Sequence, residues 1–243
     1  MLRDVRIVDL SLPIRAGMFD VPGHENVSFI ETKSYTADRF RTTALHMSVH
    51  AGTHIDYPAH LDPVGAVVCG EEGSGDPIMP ACTLTPAGVL RFFEKQGTPP
   101  LEQYRWGEEI TAAEVAAAFD AIAESVVALA ADGPFGVIVA TGWNDHWFDE
   151  DFRRRGGPTL SDDAVRALLD RGVRYLASDF TFTFEPGRCH DLVLRHPAGD
   201  RFLVEGLCNL RAIREPVVWL FVAPLKLWEC EAAPARVYAL EAL

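Results

Sequence analysis

Short runs rich in β-branched and other apolar residues recur along this chain of 243 residues, and they constrain its fold more than any other feature. Their length and composition predict strands. The runs cover residues 5–10, 42–49, 88–93, 135–140, 172–177, 201–207 and 217–223. Because the strands outnumber the recognisable helices and do not alternate with them, a Rossmann sheet or a TIM barrel is disfavoured. The pattern predicts an α/β fold with a mixed or barrel-like sheet and few helices.

Two helices are well marked by their ends. The first is predicted to run from Thr111, a capping residue with Glu114 three positions later, to Asp132. Apolar residues at helical spacing support this helix. The second is predicted to begin at Ser161, with two aspartates in the first turn where the helix dipole favours acid, and to stop at Gly172.

Composition indicates one domain over residues 1–243 that acts on a small molecule. The chain is 48% hydrophobic and has a net charge of -13. Such a charge argues against nucleic acid or an anionic membrane as a partner, since both need clustered Lys and Arg. No segment has the run of roughly 18 apolar residues that spans a bilayer, and the start has no signal-peptide pattern, so we expect a soluble, cytoplasmic protein. Stretches rich in Gly, Pro and charge predict a loop-rich excursion at about 65–109.

The segment HMSVHAGTHIDYPAHL, residues 46–61, holds four of the eight histidines of the chain. Gly52 and a later proline argue against a helix there. In an extended strand, side chains alternate with a period of two, which would bring His50, His54 and Asp56 to one side. Gly52 would let the strand bend, so that these three side chains converge.

Two imidazoles and one carboxylate that converge, with coordination positions left open, are typical of a catalytic divalent metal site. The nitrogen ligands favour Zn²⁺, and Mn²⁺ or Fe²⁺ fit as well. The alternative is a group of exposed or core histidines, and we interpret His46 in that way. His60 follows the turn at Pro58 and could act beside the metal as an acid or base near neutral pH.

These residues resemble the H-x-G-T-H-x-D-x-P-x-H signature of the cyclase superfamily, which includes bacterial kynurenine formamidases and isatin hydrolases. The match is HAGTHIDYPAH, residues 50–60. Further likenesses are the strand that ends in T-G-W at 137–143 and the E-x-L-x-N-L pattern at 205–210. The resemblance implies a swivelling β/β/α fold, a homodimer or homotetramer, and metal-dependent opening of a C–N amide bond.

The resemblance also implies roles for individual residues. His50, His54 and Asp56 would be metal ligands, and Asp56 could bridge two ions. His60 would be the general acid or base. In members with two ions, another histidine and the glutamate of the E-x-L-x-N-L pattern complete the site, and Glu205 occupies that glutamate position.

The histidine of this second set is predicted to be His190, with His196 as the alternative. If both are ordinary loop histidines, a single ion is expected, so the number of ions stays open. Glu205 has independent support because it is the one acid in the apolar run FLVEGL, where an unpaired carboxylate would cost several kcal/mol on burial. A metal ion would meet that carboxylate, and an ion pair with an arginine is the alternative.

Three aromatic residues near these motifs are candidates for substrate contacts: Phe19, Tyr57 and Trp143. Their rings could stack on an aryl group, or they could pack in the core. Where the formamidases commonly have a tryptophan, this chain has Phe19, and Trp143 resembles members that act on other cyclic or aryl amides. The expected substrate is therefore a small cyclic amide or an aryl formamide.

Three functions are compatible with these residues. The first is a hydrolase in which a Zn²⁺ or Mn²⁺ ion activates water and His60 protonates the departing nitrogen. The second is a lyase or dehydrating cyclase that uses the same Lewis acid on a small cyclic substrate. The third is a non-catalytic metal-binding subunit, which would have no use for His60. The sequence favours the hydrolase.

Overall fold

The computed structural model describes residues 5–18, 24–70, 83–93, 109–147, 158–181 and 188–242. The strands are β1 Val5–Asp9, β2 Ser28–Lys33, β3 Thr42–His46, β4 His54–Asp56, β5 Leu84–Arg91, β6 Glu109–Ile110, β7 Gly136–Ala140, β8 Thr159–Leu160, β9 Tyr175–Ser178, β10 Phe202–Glu205, β11 Val217–Pro224 and β12 Ala232–Ala242. The α-helices in these ranges are α1 Tyr35–Asp38, α2 Ala112–Asp120, α3 Ala123–Ala130, α4 Asp162–Asp170 and α5 Arg188–Leu194. Three 3-10 helices span Pro58–His60, Trp143–His146 and Leu210–Ala212.

Seven of these strands close into a ring. The ring runs in the order β12-β11-β5-β7-β9-β10-β4, and β4 pairs with β12 as well as with β10. Parallel pairs join β5, β7, β9 and β10, whereas the other neighbours in the ring are antiparallel. β1 pairs with β12 outside the ring. The predicted α/β fold with a mixed, barrel-like sheet and few helices is thus confirmed.

The two faces of the ring pack into two hydrophobic clusters. The inner cluster includes Ile55 of β4 with Phe202 and Val204 of β10. The outer cluster includes Leu203 of β10 and the buried apolar side chains of α2, α4 and α5. Because successive residues of a strand point to opposite faces, the polar residues beside Ile55 and Val204 lie on the outer face. There α5 packs against β10 and the 3-10 helix Pro58–His60.

Two helices stand where the sequence predicts one. α2 begins after Thr111, whose side chain forms the predicted capping box with Glu114. The helix ends at Asp120, and Ile122 has φ −124° and ψ −2°, which is not helical. The break lets α3 pack against β5, where the missing side chain of Gly88 makes room for Ile122. The prediction of one continuous helix was wrong because packing on the sheet outweighs local helical spacing.

The histidine segment is not one extended strand. β3 ends at His46 and belongs to a separate two-stranded sheet with β2, and β4 begins only at His54. Turns connect the two strands, and Gly52 has a φ of 68°, in the left-handed region that favours glycine. The prediction of a continuous strand was therefore wrong, whereas the bend predicted at Gly52 is present.

Other predictions about regular structure had mixed outcomes. β5, residues 84–91, lies within the excursion predicted at 65–109, of which residues 71–82 and 94–108 are outside the described ranges. α4 matches the second predicted helix, and the Ser161 side chain caps it by accepting a hydrogen bond from the Ala164 N–H. Among the helices described above, none combines the length and apolar character needed to cross a membrane.

We predict that Gly136→Ala destabilises the ring severely. A Cβ at Gly136 of β7 would overlap the ring of Tyr175 on the neighbouring strand β9. Tyr175 cannot move aside because it stacks on Phe202 at 4.8 Å and its hydroxyl lies 2.9 Å from the Thr85 hydroxyl. We expect the free energy of unfolding in urea to fall by roughly 3 kcal/mol.

The matched control is Gly88→Ala on the adjacent strand. Its Cβ would lie 2.8 Å from Cδ1 of Ile122 and 3.0 Å from Cγ2 of Val126, so it meets two terminal methyl groups that can shift slightly rather than a fixed aromatic ring. A loss below about 1.5 kcal/mol is therefore expected for this variant. Equal losses for the two variants would contradict the explanation by the Tyr175 ring.

Candidate metal centre

Four of the candidate ligands converge on the outer face of the ring, at the seam between β4 and β10. His54 and Asp56 lie on β4, and the antiparallel register sets Glu205 opposite His54. His190 comes from α5, the helix that packs over β10. All four side chains are buried. The site thus joins residues from three elements that are distant in sequence.

The first group of ligands surrounds Oδ1 of Asp56. Nδ1 of His50 lies 2.8 Å from this oxygen, and Nε2 of His54 lies 3.4 Å from it. The three residues can offer ligand atoms that all lie within 4.8 Å of one another. Ligand atoms around a tetrahedral Zn²⁺ are expected to be roughly 3.3 Å apart, given bonds of about 2.0–2.1 Å. The spacing therefore suits one divalent ion.

The second group surrounds the other carboxylate oxygen of Asp56. Nε2 of His190 lies 3.2 Å from Oδ2 of Asp56 and 3.3 Å from Oε1 of Glu205. Oε2 of Glu205 lies 3.6 Å from Nε2 of His54, so this glutamate touches both groups. Each oxygen of Asp56 faces a different set of nitrogens, which is the arrangement required of a bridging carboxylate.

The hydrogen bonding of the Asp56 carboxylate also suits a bound cation. Its Oδ1 atom is buried and has no hydrogen-bond partner among the described residues, although His50 is close. An unsatisfied buried acceptor costs about 1–3 kcal/mol, and more when it is charged. A divalent ion between Asp56, His50 and His54 would satisfy that oxygen. The residues present therefore suit a divalent metal.

A backbone contact orients His54 toward this centre. Its Nδ1 atom lies 2.9 Å from the carbonyl oxygen of Gly52 and can donate a hydrogen bond to it. That contact favours the tautomer with the proton on Nδ1, which leaves Nε2 with a free lone pair beside Asp56 and Glu205. The acceptor belongs to Gly52, whose φ of 68° places it in the left-handed turn just before β4.

In the protein without metal, the close histidines and carboxylates shift one another's pKa values. Burial by itself would raise the pKa of Asp56, but His54, His190 and His50 lower it well below its usual range. Burial by itself would lower the pKa of His50, but the nearby carboxylates, Asp56 foremost, raise it to about 9. When no cation is bound, the charged carboxylate of Asp56 therefore favours the protonated form of His50.

His60 stands beside both groups. Its ring centroid lies 4.5 Å from that of His50 and 5.7 Å from that of His190. Burial is the main cause that lowers the pKa of His60, so its imidazole is mostly neutral at pH 7. Ligand atoms of His60, Asp56 and His190 also lie within 4.8 Å of one another, so the geometry suits a ligand as well as an acid or base. The role predicted for His60 stays a prediction.

The structure brings His190 rather than His196 to the centre. His190 lies on a helix, which the sequence analysis did not predict, whereas His196 lies in the turn that follows α5. There Nδ1 of His196 accepts a hydrogen bond from the Ala198 N–H at 3.2 Å. His46 is likewise outside the centre, exposed on β3 and 3.5 Å from Glu25.

The three predicted substrate contacts have different locations. Phe19 lies outside the described residues. Tyr57 is fully buried in the inner cluster. Trp143 is 5% exposed in the outer cluster, with its ring 5.8 Å from that of Trp147. For Tyr57 and Trp143 this packing corresponds to the alternative that the sequence left open, and contact with a substrate stays a prediction.

Two further residues near His50 were missed by the sequence analysis. The His24 ring lies 5.3 Å from the His50 ring. Glu231, just before β12, has Oε1 at 3.3 Å from Nε2 of His50. Neither residue belongs to a local motif, since each is brought close by the fold alone. Ligand atoms of His50, His60 and Glu231 also lie within 4.8 Å of one another.

Thr53 ties together the two chain segments that carry the ligands. Its hydroxyl donates to the carbonyl of Gly206 at 2.6 Å and accepts from the N–H of Leu12 at 2.8 Å. A Cβ at Gly206 would lie only 2.6 Å from the carbonyl oxygen of Gly52, so the segments approach closely because no side chain separates them. These contacts hold the turn after Glu205 against the turn before β4.

Asp179 holds the turn after β7. Its carboxylate accepts hydrogen bonds from the Thr141 N–H at 3.0 Å, the Thr141 hydroxyl at 2.9 Å and the Gly142 N–H at 2.5 Å. Burial nevertheless raises the pKa of Asp179 to about 6. The same turn carries Asn144, whose amide donates to the carbonyl of Leu207 at 2.6 Å. Asp179 thus connects β9 to the turn that supports the end of β10.

Comparison with known proteins gives a consistent family and fold. Residues 8–185 match the family model Cyclase. The fold is similar to isatin hydrolase A from Ralstonia solanacearum, with a TM-score of 0.72 and 21% identity over 97% of this chain and 92% of that chain. It is also similar to an isatin hydrolase bound to the product analogue thioisatinate, with a TM-score of 0.75 and 20% identity over 99% and 94% of the two chains. A predicted metal-dependent hydrolase from Bacillus stearothermophilus has a TM-score of 0.67 and 21% identity over 97% and 98%.

We predict that Asp179→Asn changes how stability depends on pH. A carboxylate whose pKa is raised from 3.8 to about 6 on folding adds no penalty below pH 4, and destabilises the folded state as pH rises from 4 to 6. The shift corresponds to about 3 kcal/mol at most. The asparagine variant lacks this titration, although it loses acceptors for Thr141 and Gly142 at every pH.

The measurement is urea unfolding of both proteins between pH 4 and pH 7. The stability of the wild-type protein relative to the variant should fall as pH rises through this window, by up to about 3 kcal/mol. A difference that stays constant over the window would show that Asp179 does not titrate there.

Proposed function

Because this chain belongs to the cyclase family, we propose that it is a metal-dependent hydrolase that opens the C–N amide bond of a small cyclic amide or an aryl formamide. The observation that carries this proposal is the buried carboxylate of Asp56, whose two oxygens face His50 and His54 on one side and His190 on the other. The similar fold of two isatin hydrolases supports a cyclic amide as the substrate class.

The residues that would hold the metal are those of the two groups described above. His50, His54 and Asp56 would bind one ion, and Asp56, His190 and Glu205 would bind a second. We propose Zn²⁺ or Mn²⁺, with one or two ions per chain, because imidazole and carboxylate ligands suit both. When bound, such an ion supplies Lewis acidity that polarises a carbonyl and lowers the pKa of water to about 7.

Other residues of the site would orient the metal-binding histidines and transfer protons. His54 keeps Nε2 directed at the centre because its Nδ1 is held by the Gly52 carbonyl. His60 is mostly neutral at pH 7 because burial lowers its pKa, so its imidazole can accept a proton from the attacking water. It would then pass that proton to the departing nitrogen as the C–N bond breaks. Phe19, Tyr57 and Trp143 stay candidates for contact with the substrate.

We also propose that the protein acts as a homodimer or homotetramer, as the family resemblance implies. A net charge of -13 supports a small-molecule substrate rather than nucleic acid or an anionic membrane.

The proposal predicts hydrolysis that depends on a bound metal. Protein purified without added metal is analysed for its metal content, stripped with a chelator, and reloaded with Zn²⁺ or Mn²⁺. The panel of substrates is isatin, N-formylkynurenine and small lactones. We expect turnover of at least one amide by the reloaded protein, and loss of both metal and turnover in His54→Ala. The matched control is His46→Ala, which removes an exposed histidine from the same segment.

The product distinguishes the hydrolase from the alternatives. In ¹⁸O-labelled water, hydrolysis adds one solvent oxygen to the new carboxylate, whereas a lyase or a dehydrating cyclase adds none. Absence of turnover with any metal, together with tight metal binding, would favour a non-catalytic subunit and contradict the proposal.

If His60 is the general acid or base, its replacement should lower kcat without lowering the metal content. In His60→Gln, we expect kcat to fall by about 10²- to 10⁴-fold, the usual contribution of a general acid or base, while the metal content stays unchanged. Metal content is measured by elemental analysis and kcat under saturating substrate. A parallel loss of metal would identify His60 as a ligand instead, as its distance from Asp56 and His190 also allows.

A further inference from the structure

The His50 ring lies between two carboxylates. Its Nδ1 atom is 2.8 Å from Oδ1 of Asp56, and its Nε2 atom is 3.3 Å from Oε1 of Glu231. Only one of these carboxylates is at the candidate metal centre. The Glu231 side chain is 41% exposed, at the edge of the site, whereas Asp56 is 1% exposed.

The two contacts of His50 differ in geometry. The pair of Nε2 and Glu231 has the distance and direction of a hydrogen bond, in which the ring N–H donates to the carboxylate. Oδ1 of Asp56, in contrast, has no hydrogen-bond partner among the described residues, although Nδ1 of His50 is nearer. A neutral imidazole carries one N–H, so a proton on Nε2 leaves the lone pair on Nδ1, beside Asp56.

The same arrangement occurs at His54 with the two nitrogens exchanged. There Nδ1 donates to the Gly52 carbonyl, and Nε2 lies beside Asp56. In both histidines the nitrogen nearer to Asp56 can bind a metal, and the other nitrogen is held by an acceptor. Such acceptors commonly fix the tautomer and the ring orientation of metal-binding histidines.

The fold holds Glu231 in position beside His50. Its carbonyl oxygen accepts a hydrogen bond from the Tyr57 N–H at 2.9 Å. The next residue, Ala232, begins β12 and pairs with Asp56 of β4. Glu231 is therefore fixed relative to the ligand strand by the pairing of β4 and β12 that closes the ring.

We infer that Glu231 is a positioning residue for the metal centre, which accepts a hydrogen bond from Nε2–H of His50 and so directs Nδ1 of that ring at the metal. The inference rests on the metal centre of the proposed function and adds to it a residue outside the signature motif. Loss of such an acceptor typically weakens metal binding by about 10- to 100-fold. Because Glu231 is partly exposed, water can replace it in part, and we expect roughly tenfold.

The test is calorimetric titration of Zn²⁺ and of Mn²⁺ into the metal-free, full-length protein at neutral pH. The variants are Glu231→Ala, which removes the acceptor, and Glu231→Gln, which keeps a carbonyl oxygen. The control is Glu31→Ala, an acid of similar exposure, 47%, that pairs with the exposed Arg41 at 2.9 Å. Circular dichroism melting of the metal-free proteins shows whether each variant is folded.

We expect Glu231→Ala to bind the ion about tenfold more weakly, Glu231→Gln to stay within about threefold of the wild-type protein, and Glu31→Ala to be unchanged. The melting temperatures of the metal-free variants should match that of the wild-type protein. Rescue by glutamine would separate positioning of His50 from a general effect on folding.

Three results would overturn the inference. If Glu231→Ala and the wild-type protein bound the metal ion equally well, the metal centre would stand but the positioning role of Glu231 would be wrong. Loss of one ion per chain in both Glu231 variants, with the affinity for the remaining ion unchanged, would make Glu231 a ligand of an outer ion with His50 and His60. Failure of the wild-type protein to bind either metal would overturn the proposed function as well.

Discussion

The double pairing of β4 is the interaction on which the candidate site depends. This strand of three residues closes the ring by bonding to β10 on one edge and to β12 on the other. Its alternation sends Ile55 into the inner cluster and sends His54 and Asp56 outward. The pairing with β10 brings Glu205 opposite His54, and the pairing with β12 holds Glu231 near His50. The ring closure and the metal centre are therefore one structural feature, and disturbance of either strand pair would disturb both.

The chemistry of the site explains why so many contacts support it. Two buried carboxylates, Asp56 and Glu205, each have an oxygen within 3.3 Å of Nε2 of His190, and they would repel each other without compensation. His50, whose pKa is raised to about 9, supplies positive charge in the metal-free protein, and a divalent ion would supply more. Such a cluster stabilises the fold only when its groups are held at fixed positions, since a displaced carboxylate would be left buried and unpaired. The hydrogen bonds of Thr53 and of Asp179 restrain the turns around it.

Prediction from sequence succeeded where the signal was local. The capping box at Thr111, the start of α4 and most of the central strands follow from the chain itself. It failed where packing decides: the predicted strand over residues 46–56 is divided by a turn, and the predicted first helix breaks at Ile122, with both α2 and α3 packed against β5. β12 was missed because its sequence, AAPARVYALEA, is rich in alanine and contains a proline, which are poor indicators of a strand. Its position between β11 and β4 compensates for that weak propensity.

The sequence by itself determined the chemical types of the ligands and the short spacing that brings His50, His54 and Asp56 together, because neighbours along a bent chain cannot lie far apart. It also marked Glu205 as an acid in an apolar strand that needs a partner. Only the tertiary structure decided which partners these residues meet: His190 rather than His196, and Glu231 beside His50. Backbone N–H and C=O groups are the same in nearly all residues, so the sequence does not show which strands pair with each other. The order of strands around the ring follows from how the whole core packs, and the long-range contacts of the site follow from that order.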